Sequence, residues 1–301
     1  MAKRASRSKS KKATMALLYI IIVLLIALIG FCIWNIYTSF NEYTVGEEAY
    51  LGMIGSYLTN VPDSSDAAGT QTDPSQANGT NVTQDGLIAN VTPLDQAGST
   101  SGDAAGGSAS GIVTQKPEVN FTALKSDNAD AMGWIYSPNT VISYPVVHGS
   151  DNEYYLTHLF DGTTNKLGTI FVDCRNGSNL SDQNTLIYGH NMKNGSMFAS
   201  LHNYSSQAYY NQHPYYYLYT ENATYRVDIF SAYLTTTADA CFCTDYGSEE
   251  TFSLFLSGAK ANSAVTTSVE VSAQDRIVTL VTCHSSSDDA RYVVMGKLVA
   301  E

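Results

Sequence analysis

Arg276-Ile277-Val278-Thr279-Leu280-Val281-Thr282-Cys283, followed across a polar stretch by Arg291-Tyr292-Val293-Val294-Met295, decides the fold. Both runs are rich in β-branched residues and are bounded by polar turn formers, the pattern of two strands joined by a loop. The first run ends on a cysteine and the second opens on an arginine. A thiol at a strand end with a guanidinium returning beside it is a plausible thiolate site. Upstream, Leu186-Ile187-Tyr188-Gly189-His190-Asn191-Met192 reads as a short strand that breaks at glycine and presents a histidine.

Working outward, more short strands appear. Gly133–Tyr136 and Val141–Val147 flank a Pro-Asn turn, Gly168–Val172 and Asn184–Tyr188 follow, and Tyr215–Tyr219 with Thr224–Tyr233 form a hairpin. Asn120 opens a helix through Phe121, Leu124 and Met132, and Asp151 caps a turn holding Tyr154, Tyr155 and Leu156. Ser196 to Tyr204 reads as helical. Ser248, with Glu249 and Glu250, opens a helix whose apolar face is Phe252, Phe255 and Leu256. About eight short strands with few helices imply a mainly β fold: a closed β-barrel with peripheral helices. The tyrosine-rich region 204–219 reads as core and barrel wall.

The N-terminal part is of another kind. Lys3, Arg4, Arg7, Lys9, Lys11 and Lys12 precede an uncharged run from Ala16 to Trp34, and no acidic residue occurs before Glu42. At about 1.5 Å per residue that run crosses a hydrocarbon core of ~30 Å. No small-residue cleavage site follows it, so it reads as an uncleaved signal anchor, with the basic tip inside the cell and the remainder outside. The expected organisation is a basic cytoplasmic tip (1–15), a transmembrane helix (16–38), a membrane-proximal segment and low-complexity stalk (39–116), and a folded β domain (117–301). The stalk has too little apolar surface to offset its chain entropy. Roughly 59 flexible residues reach about 40 Å.

The formal net charge is −12 and all 28 acidic residues lie from Glu42 onward. So acidic a body lacks the basic face that nucleic acid requires. The five cysteines match neither a zinc ribbon nor a disulfide framework. Cys241-Phe242-Cys243 lacks a second ligand pair, and no cofactor or metal is expected. From the residues alone, Cys283, His190 and Arg291 make either a nucleophile, an acid/base and a cation, or a packed cysteine and an ordinary turn.

The motifs TLVTC, RYVVMGKL and LIYGHNMKNGSMF closely resemble the class B members of the sortase family, as do FTALKSDNADAMGWIYSPNTVISYPVV, DNEYYLTHLFDGTTNKLGTIFVD and HPYYYLYT. The resemblance covers about residues 119–299 and keeps the family's order of histidine, cysteine and arginine. It implies a sortase-type barrel and a cysteine transpeptidase, with Cys283 as nucleophile, His190 as catalytic histidine and Arg291 as catalytic arginine. Thr282 and Asn191 are the implied substrate-binding residues.

The implied partners are secreted proteins bearing a C-terminal sorting signal, and an amine of a peptidoglycan precursor or a pilin lysine. Two departures stand out. Val281 replaces a common serine, and the loop from His284 to Ala290 is short, which bears on the shape of the substrate groove. His284 reads as a loop residue. A pilin-polymerising sortase and a non-catalytic, surface-anchored β-domain are the alternatives. A papain-like protease would run cysteine before histidine, and an L,D-transpeptidase would carry Ser-x-Gly-Cys-x-Arg, which Thr282-Cys283-His284 lacks.

Overall fold

The computed structural model describes residues 2–60 and 116–301. In chain order the elements are α1 (Ala2–Tyr57), β1 (Leu58–Thr59), β2 (Glu118–Val119), α2 (Phe121–Asp127), β3 (Ala131–Tyr136), β4 (Ser143–Val147), β5 (Ile170–Val172), β6 (Asn184–Tyr188), α3 (Gln207–Gln212), β7 (Tyr215–Thr220), β8 (Thr224–Thr236), α4 (Glu249–Asn262), β9 (Ile277–Cys283) and β10 (Ala290–Ala300), with three short 3₁₀ turns between them. The chain divides into two compact units, residues 58–120 and the remainder. In the smaller unit β1 and β2 pair antiparallel, with Leu58 opposite Val119. Most of the expected stalk, residues 61–115, lies outside the described residues.

In the larger unit eight strands close into a barrel in the order β10-β8-β7-β3-β4-β5-β6-β9. The expected mainly β barrel with peripheral helices is what forms. Its β4–β5 and β6–β9 contacts are parallel and the other contacts antiparallel. Strand alternation sorts side chains between two cores. Val278, Leu280, Tyr292 and Val294 join the large core with Ile135, Ile187 and Leu218. Ile277, Val281, Val293 and Met295 form a second core with Phe252 and Leu256 of α4. Each such aliphatic side chain contributes about 1.5–3 kcal/mol on leaving water. The tyrosine-rich region is wall and core, as expected: Tyr204, Tyr210, Tyr216, Tyr217 and Tyr219 are all buried.

Local chemistry explains the helix starts. Ser248 caps α4 by accepting from the Thr251 amide at 3.2 Å. The Asp151 carboxylate accepts from the Glu153 and Tyr154 amides at 2.8 Å each. Three expectations need correction. Met132 belongs to β3, because α2 stops at Asp127. The turn near Ser196 is a 3₁₀ helix over Ala199–Ser205. The last strand runs on to Ala300 along β8, well past Met295.

α1 is a single helix through the apolar run and on to Tyr57. Its residues from Leu18 to Ile36 are exposed all round, and it meets the length and composition needed to cross a membrane. Beyond Ser39 the same helix lies against the barrel, and Tyr50 is 4% exposed there.

Candidate active site

β6 and β9 run parallel, and Tyr188 stands opposite Val281. Both side chains face the α4 core. The Gly189 amide donates to the Val281 carbonyl at 3.1 Å, extending the ladder past the strand end. Two more residues along each chain lead to His190, just past the end of β6, and to Cys283, at the end of β9, so both leave neighbouring parallel strands at the same rim. Antiparallel to β9, β10 sets Arg291 directly opposite Cys283. The three residues therefore share one rim of the barrel: Cys283 is exposed, and His190 and Arg291 are half-buried.

His190 is oriented from outside its own strand. Its Nε2 is 2.7 Å from the Leu156 carbonyl oxygen. A carbonyl only accepts, so Nε2 carries a proton and Nδ1 is the ring nitrogen left for proton exchange. Arg291 donates from one terminal nitrogen to the carbonyls of Asp288 (2.7 Å) and Ala290 (2.9 Å). These bonds brace the short loop after β9 and leave other guanidinium donors for an anion.

Behind His190, Asp173 is fully buried and accepts from the Tyr188 hydroxyl at 2.8 Å. Arg175 grips the same carboxylate with Nε at 2.8 Å and a terminal nitrogen at 2.7 Å. Burial alone would raise this carboxyl, but the Arg175, Tyr188 and Asn152 donors outweigh it and hold the pKa at about 2. The network ties the end of β6, just before His190, to the loop after β5.

The remaining expected residues are placed as follows. Thr282 is 2% exposed and turns its side chain to the barrel interior, on the face opposite Cys283. Asn191 is exposed and forms an isolated bridge with Met197. His284 packs its ring 5.2 Å from His202, and its Nδ1 accepts from the Ser286 amide at 3.2 Å, so it braces the loop. Cys241 is buried in the α4 core, whereas Cys243 is exposed. Among the described residues, no group of three or more His, Cys, Asp or Glu could hold a metal ion. Sequence reasoning missed Leu156, which acts through its backbone and leaves no side-chain signal. It also missed Asp173 and Arg175, although their i, i+2 spacing after a strand was a usable signal.

A family model for the sortase domain matches residues 135–299. Sortase B of Listeria monocytogenes is 39% identical over 180 residues, covering 59% of this chain and 73% of that protein. Among solved structures, a Staphylococcus aureus sortase B–substrate complex is 35% identical with a TM-score of 0.58, covering 60% of this chain and 84% of that one. A sortase B complexed with triglycine is 34% identical with a TM-score of 0.57, covering 60% and 85%.

Proposed function

Since the chain belongs to the sortase family, whose class B members it matches, we propose how this cysteine transpeptidase uses its rim. Cys283, as thiolate, attacks the threonine carbonyl of a Pro-x-Thr-type sorting motif in a secreted protein. The new S–C bond makes a tetrahedral oxyanion, which the free Arg291 donors stabilise. As the C–N bond breaks, protonated His190 gives its Nδ1 proton to the leaving amine. The thioacyl enzyme then meets an acceptor amine. Nitrogen bonds to the acyl carbon, the C–S bond breaks, and His190 takes the amine proton.

The observation that carries this reading is the parallel pairing of β6 with β9, with Arg291 opposite Cys283. The relatives support a peptide substrate and an amine acceptor: one is a substrate complex and another holds triglycine, a short peptide with a free amine. On this reading the acceptor is an amine of a peptidoglycan precursor, and the reaction anchors proteins to the cell wall. Thr282 contributes its backbone to substrate binding and Asn191 lines the approach. Residues 16–38 hold the enzyme in the plasma membrane, N-terminus inside and barrel outside, in keeping with the basic residues before the apolar run.

The test uses the full chain in detergent micelles with quenched peptides of the form x-Pro-x-Thr-x. Mass spectrometry should find an acyl adduct on Cys283 that ends in threonine, and triglycine should discharge it. Loss of the adduct in Cys283→Ala, and its failure to form in His190→Ala, complete the expectation. A folded enzyme that forms no adduct across a broad panel would refute it.

A further inference from the structure

α1 does more than reach the barrel: it touches both loops that hold His190. The first loop precedes β5. The Tyr50 hydroxyl of α1 donates to the Gly168 carbonyl at 2.5 Å and lies 3.1 Å from the Thr169 hydroxyl. Gly168 has φ +58°, and a Cβ there would lie 2.4 Å from the Tyr155 carbonyl oxygen and 2.8 Å from that of Leu156. The Leu156 carbonyl is the one that receives His190 Nε2. Thr169 ties down the same turn, its amide donating to Tyr155 at 2.9 Å and its hydroxyl to His158 at 2.8 Å. One residue thus separates the Tyr50 hydroxyl from the acceptor of the imidazole.

The second loop begins at His190 itself. Asn194 donates from its side chain to the Glu47 carboxylate of α1. The loop closes back where the Phe198 amide meets the His190 carbonyl at 3.0 Å. Tyr144 gives this loop a further hold, because the Met197 amide donates to its hydroxyl at 3.0 Å and its ring meets the Tyr50 ring edge-on at 5.4 Å. The helix is itself secured. Asn165 donates to the Glu42 carbonyl at 2.9 Å, and Lys166 pairs with the Glu42 carboxylate at 3.2 Å and lies 4.0 Å from the Tyr43 ring centre.

We propose that residues 42–57 of α1 are a positioning element for His190, with Tyr50 acting through Gly168 and Glu47 through Asn194. The segment that leaves the apolar run therefore sets the orientation of the imidazole. The inference rests on the role given to His190 above. It also accounts for a feature a passive tether lacks: hydroxyl and carboxylate contacts aimed at catalytic loops.

The experiment uses the full chain in lipid nanodiscs. Tyr50→Phe keeps the ring and its burial and deletes only the hydroxyl. It should lower kcat for the sorting peptide on the order of tenfold, as small misplacements of catalytic groups do, and leave KM unchanged. Glu47→Ala and Asn194→Ala should each lower kcat, and the double variant should be no worse than either, because they remove one interaction. Glu47→Gln, which keeps an acceptor oxygen, should restore turnover. Nitrogen NMR of His190 gives a readout independent of any substrate: the Nε2 resonance should move in Tyr50→Phe. Unchanged kcat and an unmoved resonance, with only a lower Tm, would make α1 a stabilising strap and overturn the proposal. If wild-type enzyme turns over no peptide, the sorting reaction fails, and the resonance alone decides the positioning.

Discussion

Gly189 is the residue whose replacement tests the site most sharply. It lies between the last rung of β6 and His190. A Cβ there would sit 2.5 Å from Ile170 Cδ1 and 2.6 and 2.7 Å from Phe198 Cδ2 and Cγ. Ordinary carbon contacts are about 3.5–4.0 Å, so Gly189→Ala overlaps its neighbours by about 1 Å on two sides. Both neighbours are fully buried, where packing resists displacement, and Phe198 is also pinned through its amide to the His190 carbonyl at 3.0 Å. The backbone must move instead, at the expense of the 3.1 Å bond from Gly189 to Val281 that aligns His190 with Cys283.

Overpacking of this kind costs about 1–3 kcal/mol. For a domain of roughly 180 residues that lowers Tm by about 2–12 °C. A domain of ordinary stability, about 5–15 kcal/mol, stays folded at 25 °C. On the role proposed for His190, a drop in kcat/KM on the order of 100-fold is nonetheless expected, because misplacing a catalytic group by about 1 Å has that effect. Calorimetry and peptide cleavage on the same preparation separate the two losses. Phe198→Leu added to Gly189→Ala should recover part of the turnover by making room. Wild-type Tm and turnover within about twofold for Gly189→Ala would refute the reasoning, because the packing that aligns the rim would then be slack.

Other outcomes follow from buried groups. Asp173 has a folded pKa of about 2, below the unfolded value near 4, so its stabilisation is present above about pH 4 and fades as pH falls toward 2. Stabilities of wild type and Asp173→Asn from urea titrations should differ by on the order of 2 kcal/mol at pH 6 and converge only as pH falls below about 2; curves parallel throughout would contradict this. Asn184 is fully buried, donating to the Cys241 and Cys243 carbonyls at 2.9 Å each and accepting from the Thr279 hydroxyl at 2.8 Å. Its replacement by Ala strands those partners and should cost about 2–4 kcal/mol in a denaturant titration, whereas a loss under about 0.5 kcal/mol would mean that water replaces the side chain. Burial pushes the Cys241 thiol well up, so iodoacetamide should label Cys283 and Cys243 in the folded protein and reach Cys241 only in denaturant. Peptide mapping that finds Cys241 labelled early would show the α4 core to be open.

Much of this was legible because it is local. The β-branched run to Cys283 could only be a strand, and its alternation already divided Cys283 from Thr282. The helix after Ser248 announced itself by its cap and by Phe252 and Leu256. What stayed hidden was long-range. Nothing near Leu156 signals that its carbonyl will meet an imidazole, because a backbone acceptor has no residue type. Met132 follows Leu124 at a helical spacing, yet α2 gives way to β3, whose Ile135 joins the large core. The seating of α1 was equally hidden, since Glu47, Tyr50 and the loops they touch are more than a hundred residues apart.

The order of histidine, cysteine and arginine follows from the connection of the strands. In an antiparallel pair the exit of one strand lies beside the entry of the next, so residues just past two strand ends fall at opposite rims. β6 and β9 are parallel, so both exits open on one rim. That brings a histidine just after β6 and a cysteine at the end of β9 together across about ninety residues of chain. β10 then returns antiparallel through a short loop, and its second residue is the arginine opposite the cysteine. A one-residue slip of β9 against β6 would exchange Cys283 for Thr282 at the rim and bury the thiol. The buried aliphatic residues along β9 make that slip costly, since Ile277 and Val281 would leave the α4 core and Val278 and Leu280 the barrel interior. The two cores that flank β9 are therefore what keep the thiol at the surface.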